Sequence, residues 1–141
     1  MNRLHRKSLA LASGILLAGT VSIVAAQAPP EFRKGMWEFT RTVDDGAGKP
    51  QTLNRQKCTS PSEDMRAQRA SGAKMGCKAS PVAKSASTYT YTVTCEIKGT
   101  TVESTSVMSV ESDSAYRIDI QSKGGGKSTK EQLVAKRTGD C

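Results

Sequence analysis

Residues 88–110 read TYTYTVTCEIKGTTVESTSVMSV, and this stretch decides the fold class. Up to Ile97, aromatic and aliphatic residues alternate with threonine and glutamate, which is typical of a β-strand with one buried face. Lys98-Gly99 then predicts a tight turn into a second strand. A hairpin closed at that turn matches the apolar faces of its two strands. The predicted pairs are Ile97 with Thr100, Cys95 with Val102, and Tyr89 with Met108.

Weaker alternation on both sides of this hairpin predicts further strands. Turn formers are dense in residues 44–50, and the glycines of residues 123–127 indicate a flexible loop. We therefore expect a mainly β fold, an antiparallel meander that curls into a partial barrel in order to bury one face of its sheet. The other strands are predicted at about residues 36–43, 51–57, 116–120 and 130–137.

One short helix is predicted near residues 61–70. Pro61 suits the first helical position, where its missing N–H costs nothing. Ser60 is expected to cap the helix, and Glu63 would complete a capping box with it. Ser71-Gly72 is expected to end the helix, after which Cys77 begins the next extended piece.

The first 26 residues have the plan of a cleavable signal peptide. Three cations at Arg3, Arg6 and Lys7 precede an uncharged, mostly apolar run that ends in small residues before Gln27. The run is long enough for an uncleaved membrane anchor, which is the alternative. Its glycines and serines, however, make it only weakly hydrophobic for a permanent transmembrane helix. We expect cleavage, a periplasmic or secreted protein, and no stable membrane insertion afterwards.

The chain is thus divided into a signal peptide (residues 1–26), an N-terminal linker (27–34) and a single β-rich domain (35–141). Three of the 21 lysines and arginines lie in the signal peptide, which leaves 18 basic residues against 13 acidic ones and a net charge of +5. No run of five or six like charges occurs, so we expect no nucleic-acid partner. Electrostatic binding to anionic envelope surfaces is an alternative function.

Four cysteines predict two disulfides in an exported domain of this size. Their spacing does not match the paired Cys-x-x-Cys ligands of a zinc site, so no metal is expected. Four cysteines allow three pairings, which local geometry ranks. The helix would return Cys77 to Cys58, and the last strand would bring Cys141 beside Cys95. We therefore predict the pairs Cys58–Cys77 and Cys95–Cys141.

The residues of the mature chain exclude the commonest catalytic chemistries. The only histidine, His5, lies in the signal peptide, so mechanisms that need histidine as a base or a metal ligand are excluded. The glycine-rich segment 124–129 is not a phosphate loop, because the position of that motif's first glycine holds Gln121. We expect no enzyme, no catalytic residue and no cofactor.

A carboxylate-based hydrolase is the alternative to a protein without catalysis. The predicted hairpin brings Glu96 and Glu103 to one face as diagonal neighbours, and paired carboxylates can act as acid and base. Threonines share that face, however, which is typical of a solvated surface.

Aromatic residues make up only 4% of the chain, so we expect most of these large side chains to be needed in the hydrophobic core. The same residues suit a ligand-facing position, because ligand pockets are lined by apolar and aromatic groups. The expected function is that of a non-enzymatic exported protein that binds a small apolar ligand or an envelope component on the concave side of its sheet. The core or ligand-facing aromatic residues are Trp37, Phe39, Tyr89, Tyr91 and Tyr116.

Several short motifs together resemble one family. They are Gly35-Met36-Trp37-Glu38, Cys58-Thr59-Ser60-Pro61-Ser62-Glu63, the later Cys77 and Cys95, and Gly139-Asp140-Cys141. In this order they resemble domain of unknown function 3617, an uncharacterised family of small exported bacterial proteins. The resemblance implies an exported, β-rich, disulfide-bonded domain, and it implies no catalytic residue or ligand.

The signal-peptide plan makes a direct prediction about the exported protein. Cleavage after Ala26 should leave a mature chain that begins at Gln27, with or without cyclisation to pyroglutamate, because small residues before the scissile bond suit the peptidase. Intact-mass measurement of the exported form checks this. A mass that still includes residues 1–26 would contradict it.

Overall fold

The computed structural model describes residues 27–141, so the predicted signal peptide lies outside the described residues. This part of the chain contains eight strands and one helix, and every predicted strand is present. The elements are β1 (Gly35–Asp44), β2 (Gln51–Thr59), α1 (Pro61–Lys74), β3 (Lys78–Ala79), β4 (Ala83–Ser85), β5 (Thr88–Ile97), β6 (Thr100–Ser112), β7 (Ala115–Gly124) and β8 (Lys127–Gly139).

All strands belong to one antiparallel sheet in the order β2-β1-β8-β7-β6-β5-β3, and β4 also pairs with β5. The hairpin of β5 and β6 has the predicted register, with Cys95 opposite Val102 and Tyr89 opposite Met108. Strands β5 to β8 form the expected meander. Because β8 then pairs with β1, strand β1 is hydrogen-bonded on both sides.

The sheet is strongly curved. Arg55 on β2 and Tyr91 on β5 line the same cavity, although five inter-strand steps separate their strands. In a flat sheet, five steps of about 4.8 Å would hold these strands about 24 Å apart. Over residues 27–141 the sheet is not closed, since β2 forms one edge and β3 the other. This open, curled sheet is the predicted partial barrel.

The sheet buries its concave face against α1 and the segment that precedes β1. Trp37 lies at the centre with none of its surface exposed, and its indole N–H donates to the carbonyl of Arg33 at 3.0 Å. The ring centroids of Phe32 and Tyr116 lie 6.0 Å and 5.7 Å from that of Trp37. Phe32 belongs to the stretch expected as a linker, yet it is buried in the core. The other buried apolar residues are Val82, Tyr89, Met108, Ile118 and Ala135.

The beginning of α1 differs from its predicted capping. Pro61 occupies the predicted first position, but the capping box is wrong: among the described residues, the side chain of Ser60 makes no capping hydrogen bond. The serine whose side chain makes a structural hydrogen bond at this end is Ser62. Its hydroxyl accepts a hydrogen bond from the amide of Phe32 at 2.7 Å. The contact ties the start of the helix to the start of the domain.

The helix also ends later than predicted, at Lys74 rather than about Ala70. Gly72 remains helical because glycine in a helix interior costs only about 1 kcal/mol. The helix stops where Gly76 adopts a φ of 81°. The amides of Gly76 and Cys77 then donate to the carbonyls of Ala73 and Gly72 at 3.1 Å and 3.0 Å, which is a Schellman motif.

Residues 123–127, expected as a flexible loop, form a tight turn instead. β7 runs to Gly124 and β8 begins at Lys127. Only Gly125 and Gly126 remain between the strands, with φ values of 57° and 75°. Two consecutive positive φ angles give a hairpin turn whose twist matches that of the strands.

All four cysteines are in disulfides, but the predicted pairing is wrong. The bonds are Cys58–Cys141 and Cys77–Cys95. β8 pairs with β1 rather than with β5, so its end cannot deliver Cys141 to Cys95. β3 follows Cys77 directly and pairs with β5 beside Cys95, which explains the second bond.

Gly35 permits the Cys58–Cys141 bond. This bond joins the ends of the two strands that flank β1, so the chain after β8 crosses the beginning of β1. A Cβ at Gly35 would collide with the carbonyl oxygen of Gly139 and with the side chain of Arg137. Glycine is therefore required here by a close approach of two backbones.

The disulfide topology predicts which tryptic peptides remain joined without reduction. Peptide 58–66 should be linked to peptide 138–141, and peptide 75–78 to peptide 85–98, because each contains one cysteine of an observed pair. Mass spectrometry of the digest before and after reduction checks this. A peptide that links Cys58 to Cys77 would contradict the structure.

The two bonds should also differ in their effect on stability. By the chain-entropy model, bonds that close loops of 83 and 18 residues stabilise by about 4.5 and about 3 kcal/mol. Replacing Cys58 and Cys141 by alanine should therefore lower the free energy of unfolding more than replacing Cys77 and Cys95. Urea unfolding of the two double variants measures the difference. The reverse order would contradict the prediction.

Candidate functional site: two clefts beside the helix

Helix α1 lies against the concave face of the sheet, and a cavity opens on each side of it. Both cavities fall within the volume range of about 300 to 1,000 Å³ that is usual for small-molecule sites. Three residues line both cavities, namely Met65 and Gln68 of the helix and Tyr91 of β5. The two cavities are therefore neighbours with one shared boundary.

The first cavity, which we call the apolar cleft, has a volume of about 370 Å³. It lies between α1 and strands β3, β5 and β6. Mainly apolar groups line it because the alternation of β5 directs every second residue to the concave face. Its lining includes Met65, Gly72, Ala79, Tyr89, Val93 and Met108.

The second cavity, which we call the charged cleft, has a volume of about 440 Å³. Its floor comes from β1, β5, β7 and β8 and is apolar. Charged side chains from β1, β2, β8 and α1 surround that floor. The floor residues are Phe39, Tyr91, Tyr116, Ile118, Ile120 and Leu133, and the charged residues are Arg41, Arg55, Lys57, Asp64 and Glu131.

One ion pair of the charged cleft joins neighbouring strands. Arg41 contacts Glu131 through two nitrogens, with Nε 2.6 Å from one carboxylate oxygen and Nη2 2.7 Å from the other. This hydrogen bonding raises the pKa of Arg41, against the opposing effect of burial. A bidentate pair of this kind fixes both side chains.

The other ion pair joins the sheet to the helix. Lys57 and Thr59 donate hydrogen bonds to the carboxylate of Asp64 at 2.9 Å and 2.8 Å. Burial acts to raise the pKa of Asp64, but these hydrogen bonds and the charges of Lys57 and Arg55 outweigh it and hold that pKa below its usual value. Burial raises the pKa of the nearby Tyr116, and the charge of Asp64 adds to the effect.

Four of the five aromatic residues singled out from the sequence line a cleft. Tyr89 lines the apolar cleft, Phe39 and Tyr116 line the charged cleft, and Tyr91 lines both. Trp37 lines neither and is wholly in the core. Tyr89 and Tyr116 are buried as well, so core and cleft share these side chains.

The structure places Glu96 and Glu103 away from both clefts. They are diagonal neighbours across the β5–β6 hairpin, as the register required, and both are exposed. Glu96 accepts a hydrogen bond from Thr101 at 2.6 Å. Their side chains project from the face opposite to Tyr89 and Met108, which is the outer face of the curved sheet.

Sequence reasoning missed the charged residues of the second cleft. A signal was present, because pairing β1 with β2 places Arg55 opposite Phe39 and Lys57 opposite Trp37, on the face that carries the core aromatics. Met65, Gln68 and Gly72 were missed as well, since the helix alone does not reveal which of its sides faces a cavity.

Residues 27–141 contain no cluster of three or more histidine, cysteine, aspartate or glutamate side chains arranged to hold a metal ion. Nor does this range contain a helix with the length and apolar character that crossing a membrane requires.

The Lys57–Asp64 contact predicts a pH-dependent stability. Because the pKa of Asp64 is lowered on folding, its contribution is complete above the usual value of about 4 and is lost as the pH falls through the lowered value. Asp64→Asn should lower the free energy of unfolding at pH 7 by up to about 1 kcal/mol, since the pair is partly exposed. Chemical denaturation from pH 7 to pH 2.5 measures the difference, which should shrink below pH 4.

Glu63→Gln is the matched control for this variant. It removes the same charge from the neighbouring residue of the same helical turn, where the side chain is exposed. Its effect should be smaller at neutral pH. Equal losses in the two variants would indicate a general helix-terminus effect in place of the Lys57 contact.

Comparison with known proteins identifies the family. No curated protein and no solved structure matches the chain. The family described as "Protein of unknown function (DUF3617)" matches residues 32–141, which includes both disulfides, the helix and every strand. The match begins at Phe32, the first residue of the buried aromatic cluster. The chain therefore belongs to the DUF3617 family.

Proposed function

We propose that the protein is exported and that its domain binds a small apolar ligand in the apolar cleft, as a binding protein without catalytic activity. The apolar cleft carries this proposal. Its volume of about 370 Å³ and its lining of methionine, valine and tyrosine side chains are those of a site for an apolar molecule. Burial of such a ligand would contribute about 0.8 kcal/mol for each CH₂ group removed from water.

Export is supported by the disulfides and by the N-terminal sequence. Disulfides persist in oxidising compartments and are rare in the cytosol. Both bonds of this domain involve cysteines far apart in sequence, with separations of 83 and 18 residues. A signal-peptide plan at residues 1–26 agrees with such a destination.

Binding without catalysis is supported by the chemistry of the clefts. The side chains that line the apolar cleft are mainly hydrocarbon, thioether and phenol groups. The ionised groups of the charged cleft include two ion pairs, Arg41–Glu131 and Lys57–Asp64, which neutralise both carboxylates. The alternative carboxylate pair, Glu96 and Glu103, lies on the outer face and lines neither of the two clefts.

Filling the apolar cleft tests the proposal. Gly72 lines the cleft from α1, and a Cβ there would lie 3.8 Å from the Cβ of Cys77, which is ordinary van der Waals contact. Gly72→Phe can therefore add a ring that occupies the cleft. The neutral fluorophore N-phenyl-1-naphthylamine should bind the wild-type protein, and its affinity should fall about tenfold or more in this variant, a loss of about 1.4 kcal/mol.

Ser71→Phe is the control, because it adds the same ring at the neighbouring, exposed position of the helix. It should bind the fluorophore as the wild-type protein does. If Gly72→Phe does not fold, Ala79→Phe fills the cleft from β3 instead. No binding by the wild-type protein, or equal binding by wild-type and cleft-filled proteins, would overturn the proposal.

A further inference from the structure

We propose that the ligand is a single-chain amphiphile whose carboxylate head binds Arg55 in the charged cleft while its apolar chain extends towards the apolar cleft. This inference rests on the proposed function and adds the chemical class of the ligand. Two observations support it: the charged cleft has more cations than anions, and Met65 and Tyr91 line both clefts.

The charged cleft has one cation more than it has anions. Arg41 is held by Glu131, and Lys57 is held by Asp64. Arg55 is the third cation, and within residues 27–141 no carboxylate lies at ion-pair distance from it. The cleft therefore has an excess of one positive charge, which a single carboxylate would neutralise.

Arg55 is well suited to such a head group. A guanidinium presents N–H donors in a planar fork that matches the two oxygens of a carboxylate. Arg55 pairs across the strands with Phe39 of the cleft floor, so its charge stands at the edge of an apolar surface. That juxtaposition of a free cation and an apolar floor selects a molecule with both an anionic and an apolar part.

The apolar chain of the ligand would lie along residues that border both clefts. Tyr91 and Met65 line both clefts, one from the sheet and one from the helix. A chain that crosses the apolar floor of the charged cleft from Arg55 would extend towards these shared residues, and Val93 and Met108 line the apolar cleft on their other side. The head and the chain would then occupy neighbouring sites of opposite character.

Inward-pointing charges on an edge strand have a second known role. β2 forms an edge of the sheet, and charges such as Arg55 can prevent edge-to-edge pairing of two molecules. The two roles predict different results for Arg55→Gln. Loss of edge protection increases self-association and leaves ligand affinity unchanged, whereas loss of a head-group contact lowers affinity for an anionic ligand alone.

Calorimetric titration with decanoate and with 1-decanol separates the head from the chain. The wild-type protein should bind decanoate more tightly than decanol by about tenfold or more, because only decanoate can accept charge-assisted hydrogen bonds from the guanidinium of Arg55. Arg55→Gln should remove this preference and leave decanol binding unchanged. Arg55→Lys, which keeps the charge and loses the fork, should retain part of the preference.

Arg117→Gln is the matched control, since it removes an equal charge from β7 at an exposed position with an ion pair to Asp119. It should keep the preference for decanoate. If wild-type and Arg55→Gln proteins show the same preference for decanoate, the head-group assignment is wrong, although the apolar cleft still binds the chain. The same holds if Arg55→Gln changes only self-association, measured by sedimentation velocity. If neither compound binds the wild-type protein, the proposed function itself fails.

Discussion

The burial of one indole ring governs this domain. Trp37 is completely buried near the beginning of β1, a strand that is hydrogen-bonded on both sides, and its indole N–H donates to the carbonyl of Arg33. The sequence has six aromatic residues, and the ring centroids of three of them, Phe32, Phe39 and Tyr116, lie within 6.3 Å of that of Trp37. Removing such a buried ring typically costs about 3 to 5 kcal/mol. The curvature of the sheet agrees with this packing, because the core around the ring also includes Tyr89 of β5 and Met108 of β6, which are distant from β1 in the strand order.

Much of the fold could be predicted from local pattern. The register of the β5–β6 hairpin followed from a two-residue turn and matching apolar faces, because a shift by one residue would turn every side chain to the other face. The partner of β8 could not be predicted in the same way. β8 pairs with β1, which is distant in sequence, and the residues of β8 contain no local pattern that favours β1 over β5 as its partner. The wrong disulfide pairing came directly from this missing piece of topology.

The candidate site was only half visible in the sequence. Tyr89, Tyr91 and Phe39 could be placed on the concave face by alternation, but the position of α1 over that face could not. Helix α1 has a weakly separated apolar side, since few of its residues are apolar. Contacts near its two ends hold it there instead, including the Ser62 hydrogen bond, the Lys57–Asp64 ion pair and the Cys77–Cys95 bond. The two clefts lie on either side of this helix, and its Met65 and Gln68 line both of them.

The two disulfides make the domain a pair of nested covalent rings, because the ring closed by Cys77–Cys95 lies inside the ring closed by Cys58–Cys141. A single backbone cut anywhere between residues 58 and 141 would leave one covalently connected molecule. A cut in the turn between β1 and β2 would not, since β1 lies outside both rings. The strand that carries Trp37 would then remain in place by hydrogen bonds and packing alone. The strand that carries the fully buried indole is thus outside the covalent protection of the two rings.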